Sequence, residues 1–357
     1  YNLGIITGGL ALAPWIGIEG FAWGVLGGAV AGNFAVQWFG AARLGMRFKI
    51  CFEWTHPDLK HYFLLTLPLI LGLTMTFSTE FFFRFFGSYM PRGAVAALNY
   101  GLRIMFILVG LFGQAVGTAF YPFISRLATE GRMPEMNRLL DRTVRILTIV
   151  IPFSVFLMVI RHEAVFMLFQ RGRFDAAATA LTAHLLPFLL LGAFAFSAQT
   201  IVVRGYYALQ NTLFPALLGT AAVLLSIPVF ILSMQRLGPS GVALGVSVSA
   251  FMQVALLYIC WNRRTQNKNS RHVYAAVFKM MLLSIFLGIA LEAIRRIVFS
   301  GPGATTFSGA FLTCFGLGVL FLCLLYVACR IMKMTDILEI LEKPLQKLIK
   351  RFYKNKE

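Results

Sequence analysis

The sequence predicts an all-α polytopic membrane protein with about ten transmembrane helices, and three observations lead there. Apolar residues fill 59% of the 357 positions and charged ones only 13%, about half the usual share of a soluble domain. Mean hydropathy is +0.77. Apolar runs long enough to cross a ~30 Å hydrocarbon layer recur along the chain, separated by Gly, Pro and clustered charge. The net charge of +18 falls between those runs rather than on one soluble face or arm. That distribution reads as membrane topology and speaks against a nucleic-acid partner. Tyr1 stands directly against an apolar run with no basic region before it, so the chain reads as an N-terminally truncated piece, not one opening on a signal peptide.

In order, the expected spans are residues 1–14, 17–41, 60–88, 94–121, 136–160, 177–207, 211–234, 240–261, 273–299 and 306–331. The first is short. The 60–88 and 177–207 runs are long enough to tilt or kink, the second around Pro187. Loop charge orients the set. One group of loops holds Arg43, Arg47, Lys49 and Lys60, then Arg126, Arg132, Arg138, Arg142 and Arg145, then Arg263, Arg264, Lys268 and Arg271, and finally a tail of eight bases from Arg330 onward. The alternate loops hold only Arg92, Arg161, Arg171, Arg173, Arg236, Arg295 and Arg296. The first group is therefore expected in the cytoplasm, with both chain ends. Past the last span, Ile337, Leu338, Ile340, Leu341, Leu345, Leu348, Ile349 and Phe352 fall at helical spacing among lysines, which predicts an amphipathic tail lying in the cytoplasmic interface.

An internal repeat is visible. Gly17-Ile-Glu-Gly20-Phe-Ala22-Trp-Gly24-Val25 matches Gly238-Pro-Ser-Gly241-Val-Ala243-Leu-Gly245-Val246. Each opens with a turn and enters a small-residue helix face of the kind that lets membrane helices approach closely. Its parallel sense implies two lobes related by an axis along the membrane normal, the second spread over residues 60–261.

Reactive chemistry is sparse. Cys51, Cys260, Cys314, Cys323 and Cys329 form no C-x-x-C, and the five histidines show no metal-ligand spacing. No metal or cofactor is expected. No nucleophile elbow, P-loop or paired carboxylates appear, so no enzyme is expected either. Of the histidines only His184 falls well inside a span, where an interior hydrogen bond or a proton relay would explain it.

Function is expected from the polar residues inside spans. From Gly93 to Ile124 the only charge is Arg103. Ten residues in, at ~1.5 Å per residue, it lies well inside the hydrocarbon. Such a charge costs at least ~2.5–3.5 kcal/mol on insertion scales, so it should face a protein interior or a watery cavity. Asn99, Tyr100, Phe106 and Ile107 occupy the neighbouring helical positions, leaving no acid to neutralise it and making Arg103 a candidate anion contact. Glu80 and Arg84 stand four apart on one helix face, either as a mutually neutralising pair or as substrate or ion contacts. Gln114 and Gln199 read as links between helices.

Several stretches resemble one family. Leu98-Asn-Tyr-Gly-Leu-Arg103, Gly110-Leu-Phe-Gly-Gln-Ala-Val-Gly-Thr-Ala-Phe-Tyr-Pro122 and Ser125-Arg126 look like the eighth helix of the MurJ/MviN lipid II flippases. Leu168-Phe-Gln-Arg-Gly-Arg-Phe174 and Arg204-Gly-Tyr-Tyr-Ala-Leu-Gln-Asn-Thr-Leu-Phe-Pro215 are similar to further family motifs, and the match is weakest after residue 262. The family belongs to the multidrug/oligosaccharidyl-lipid/polysaccharide exporter superfamily. The resemblance implies the fifth to fourteenth helices of a fourteen-helix, two-lobe transporter. Residues 1–41 would then be the last two helices of the N-terminal lobe, 42–59 a cytoplasmic linker and 60–262 the six-helix C-terminal lobe. Residues 263–334 would be two additional helices, forming a groove for a prenyl tail, and 335–357 the basic tail.

The resemblance further implies a flippase that moves undecaprenyl-pyrophosphate-linked disaccharide-pentapeptide from the inner to the outer leaflet of the bacterial inner membrane by alternating access. Its partners would be that substrate and membrane lipids, with a coupling ion left open. Arg103 takes the place of a cavity arginine, with Asn99, Arg84 and Glu80 as further substrate contacts. Arg171, Arg173 and Arg204 are candidates for a gate or headgroup contact. The chain departs from many members in having Leu102 before the cavity arginine, and Phe77 and Phe83 where polar residues are usual. Two alternatives stay open: an ion-coupled drug or cation antiporter of the same superfamily, and a flippase for another polyprenyl-linked saccharide.

Overall fold

Backbone in an apolar layer must satisfy its own hydrogen bonds, which leaves helix as the outcome for uncharged runs such as 213–235. The computed structural model describes residues 2–46, 56, 58–60, 62–63, 66, 81, 83–298, 306–332, 334 and 336–339. Helices and the turns between them account for these residues, and no strand occurs among them. The chain divides into two compact units, Tyr1–Tyr62 and Phe63–Glu357.

In the first unit α1 (Asn2–Ala11) and the short α2 (Ala13–Ile16) lead to Gly17, whose φ of +67° turns the chain back into α3, residues 19–43. A π-helical turn, Val30–Ala35, interrupts α3. The hairpin closes on glycine. A Cβ on Gly4 would fall on the Gly28 backbone, and one on Gly8 would fall on that of Gly24.

The second unit contains α4 (Ala94–Thr129), α5 (Met133–Val159), α6 (Arg161–Phe169), α7 (Ala176–Leu190), α8 (Ala193–Ala208), α9 (Leu213–Leu237), α10 (Pro239–Arg264), α11 (Arg271–Val298) and α12 (Phe307–Ile331). Six of these helices are long and apolar enough to cross a membrane, and the bent pair α7 and α8 makes a seventh span. The protein is thus a multi-pass membrane protein. These seven correspond to the last seven of the ten expected spans; the expected 60–88 span lies mostly outside the described residues.

Two expectations are corrected. The helix expected over 94–121 runs on to Thr129, carrying Pro122 within it. The 177–207 run does not kink at Pro187, which stays inside α7, but bends by 45° at Leu191-Gly192. The Ser247 hydroxyl of α10 donates to the Phe188 carbonyl at 2.6 Å, and the Gly192 N–H turns instead to Leu189 O at 2.9 Å. A side chain inserted into the helical ladder bends it. His184 is also corrected: it is exposed, with its ring 6.2 Å from that of Phe188, and makes no hydrogen bond among the described residues.

One core joins α4, α5 and α7 through α10, with Leu98, Met105, Leu140, Leu186, Ile201 and Trp261 buried. A second forms where α11 and α12 pack on α5 and α6, around Met280, Leu287, Phe321 and Leu325. The outward faces stay apolar, as lipid contact requires: Phe278, Ile285, Phe286 and Ile289 on α11 and Phe311, Leu312 and Phe315 on α12 are all exposed.

Beside the second core, Glu163 of α6 is buried and accepts from Arg295 Nη1 of α11 at 3.3 Å, while Glu292 holds Arg295 Nε at 3.0 Å. Removing one partner of a buried pair leaves an uncompensated charge. Arg295→Ala is expected to cost about 2–3 kcal/mol, below the range for fully buried pairs because Arg295 keeps a quarter of its exposure. Adding Glu163→Gln is expected to restore most of it. Thermal unfolding in detergent checks this, and additive losses in the double variant would refute the coupling.

The tail begins differently from its expected place in the lipid interface. Asp336 accepts from Arg145 Nε at 3.0 Å, Glu339 accepts from Arg142 Nη2 at 2.8 Å, and Ile337 is buried in the second core. These contacts pin the first turn of the tail to protein. Residues 340–357 lie outside the described residues.

Candidate functional site

Gly93, at φ +92°, starts α4, which carries Arg103, Gln114 and Thr118 on one exposed side. Leu98, Leu102 and Met105 turn into the core while Arg103, Phe106, Ile107, Gly110, Leu111, Gln114 and Thr118 stay exposed. Arg103 therefore sits on an open face, flanked by Phe106 and Ile107. It has no hydrogen bond or ion pair among the described residues. Asn99, one turn earlier, is half-buried and donates its amide to Val95 O at 2.9 Å within its own helix, which leaves its side-chain oxygen available.

The loop bearing Arg171 and Arg173 stands at the same end of α4. Tyr100 packs on Phe169 and Phe174, with centroids at 4.8 and 4.9 Å, so the aromatic residues bracketing the loop seat it one turn from Arg103. Gly172, at φ +58°, makes its turn. Asp175 caps α7 by accepting from the Ala178 N–H at 2.8 Å, and Gln170 Oε1 accepts from the Thr179 hydroxyl at 2.7 Å. Arg171 donates to Leu168 O at 2.8 Å, closing the end of α6, and Arg173 remains exposed. Asn99, Arg103, Arg171 and Arg173 thus gather at one end of the unit.

Arg204 lies elsewhere. It belongs to the far half of α8 and donates Nη2 to Gln114 Oε1 on α4 at 3.1 Å. Gln114 is eleven residues past Arg103, about 16 Å along the helix. Between them α4 relaxes into a π-helical turn, Val109–Gln114, a feature frequent at functional sites. Here α8 crosses closely: a Cβ on Gly113 would stand 2.9 Å from Ser197 Cα, and the Thr200 hydroxyl donates to Gly113 O at 3.2 Å. Gln199, like Gln114, links helices, donating to Gln253 of α10 at 2.9 Å. Arg84 is exposed, with its guanidinium 5.9 Å from the Phe83 ring, while Glu80, and with it the Glu80–Arg84 pair, lies outside the described residues.

Sequence reasoning read Gln114 as a link between helices but missed its partner Arg204 and the Gly113–Gly117 seat beneath it. The i, i+4 glycines within an already notable stretch were the available signal. It also missed the buried Asp141, which accepts from the Tyr258 hydroxyl at 2.7 Å and from Asn267, a network no local spacing foretells.

The profile of the family described as lipid II flippase MurJ matches residues 1–308. A probable lipid II flippase MurJ of Vibrio cholerae is 29% identical over 241 residues, which is 67% of this chain and 46% of that protein. The chain spans about half the length of the curated relatives it matches. Among solved structures, a lipid II flippase MurJ in an inward closed conformation aligns with a TM-score of 0.69 at 20% identity, over 93% of this chain and 66% of the other. A Vibrio cholerae MATE transporter in a bent form aligns with a TM-score of 0.50 at 18% identity, over 77% and 63%. At these identities the two structures speak to the fold alone.

Proposed function

Because this chain belongs to the lipid II flippase MurJ family, we propose that it serves a transporter that turns a polyprenyl-pyrophosphate-linked peptidoglycan precursor from the inner to the outer leaflet of the bacterial inner membrane. The observation that carries this reading is Arg103, an arginine on the open face of a membrane helix with no partner among the described residues. A guanidinium suits a pyrophosphate through paired charge-assisted hydrogen bonds, and the prenyl tail is left to the bilayer. Asn99 offers an acceptor to sugar or peptide beside it. Arg171 and Arg173 form a basic rim at the outer end, and Arg84 and Glu80 add polarity on the preceding helix. The loop ends bearing Arg126, Arg132, Arg138 and Arg264 face the cytoplasm, as does the C-terminus. Residues 60–262 act as one lobe of an alternating-access pair, with 263–334 as the tail-binding helices. The protein makes and breaks no covalent bond in this role.

An antiporter for cations would want carboxylates at the position of Arg103, so the anionic substrate is the better fit. The test is to express the complete protein in cells depleted of their own lipid II flippase and to probe the outer leaflet for newly exposed precursor. Restored exposure is expected. Cells that accumulate precursor inside, with the protein present in the membrane, would refute the proposal.

A further inference from the structure

The Arg204 side chain is held in a way that plain helix packing does not call for. Its Nη1 is buried without a partner, its Nη2 is bound only to the neutral Gln114 amide, and no acidic group pairs with it among the described residues. Gly117 makes this possible. A Cβ there would fall on Arg204 Nη1, and the next atoms it would meet are Arg204 Cζ at 2.7 Å and the Ile201 methyl at 3.3 Å. Gly113, one turn earlier, differs, since its missing Cβ makes room for the Ser197 backbone. The first glycine admits the helix, and the second admits a guanidinium.

A positive charge set in an apolar layer against neutral partners is costly unless an anion joins it. Gln114 takes one of the five N–H donors a guanidinium offers, and the planar fork suits a phosphate oxyanion. Arg204 meets α4 on the same exposed face as Arg103, about 16 Å nearer the opposite membrane surface. We propose that Arg204, positioned by Gln114 and Gly117, is a second anion station on this face. It takes the phosphate groups of the lipid-linked substrate in one half of the membrane, and Arg103 takes them in the other. This rests on the flippase reading of the Arg103 face.

The test measures farnesyl pyrophosphate binding to the complete purified protein, with thermal unfolding of every variant as a control for folding. Arg204→Gln is expected to weaken binding about tenfold or more. Gly117→Ala is expected to do the same although it keeps the arginine, because the added methyl takes the guanidinium's place. Arg204→Lys should retain part of the affinity. Wild-type affinity in Arg204→Gln and Gly117→Ala, with Arg103→Ala alone impaired, would overturn the second station and leave Arg103 standing. Impairment in Arg204→Gln with wild-type affinity in Arg103→Ala would do the reverse. Variants that lose thermal stability, with unchanged affinity or no folded protein, would make Arg204 a structural clasp and overturn the proposal. Repeating the measurement in nanodiscs separates the sources of phosphate. Displacement of the probe by phosphatidylglycerol but not by phosphatidylcholine would assign the station to bilayer phospholipid and overturn its assignment to substrate.

Discussion

Arg103→Ala, made in the complete protein, is expected to lower lipid II flipping at least about 100-fold while leaving expression and thermal stability near wild type. Hydrogen bonds to charged groups contribute about 1.5–3 kcal/mol each and a guanidinium offers a pair of them, while ~2.7 kcal/mol already corresponds to a factor of 100. Stability should hold because Arg103 lies on an exposed face with no partner among the described residues to be orphaned by its loss. Arg103→Lys keeps the charge and loses the fork, so an intermediate rate, about tenfold down, is expected. Flipping by reconstituted protein, followed as protection of a fluorescent precursor from an outside quencher, measures all three. Wild-type flipping by Arg103→Ala would remove the pyrophosphate contact from this residue. A large fall in unfolding temperature would recast it as a structural group.

Arg103 was legible before any coordinates because a single charge in 32 apolar positions has few explanations. Its exposure was not, because the partner face belongs to other parts of the fold and periodicity along one helix does not say what stands opposite. Arg204 was visible as a candidate gate or headgroup contact, but its seat depends on Gln114 and Gly117, some 90 residues away, and on the π-helical turn that leads into them. The bend near residue 190 was expected at the proline and occurs at the glycine instead. Pro187 loses one N–H, whereas Ser247, from a distant helix, captures a carbonyl that the Gly192 N–H would otherwise bind. Long-range hydrogen bonds of this kind leave no mark in local sequence. The repeat fared better. Gly17 and Gly238 share positive φ values of +67° and +55°, and in both hairpins the glycines that follow lie against the preceding helix.

That shared hairpin yields the largest expected effect on assembly. Gly241 opens α10 directly beneath the end of α9: a Cβ there would fall on the Ser233 carbonyl and stand 2.7 Å from the Met234 nitrogen, both backbone groups. The Ser233 hydroxyl meanwhile donates to Gly241 O at 2.8 Å, fastening the two helices where they turn. Side chains can rotate away from an intruding methyl, but helical backbone cannot move without breaking its own hydrogen bonds. Gly241→Ala is therefore expected to cost about 3 kcal/mol, at the upper end for overpacking. Gly238, three residues earlier, supplies the control. Its backbone, at φ +55° and ψ −131°, is one that residues with a side chain rarely adopt, yet nothing lies within 4 Å of a Cβ placed there, so Gly238→Ala should cost about 2 kcal/mol, from backbone strain alone. Unfolding midpoints and the yield of monodisperse protein in detergent rank the two substitutions. Gly238→Ala proving the more damaging would mean that turn conformation, not close helix approach, governs this hairpin and, by the repeat, its counterpart around Gly17 and Gly20.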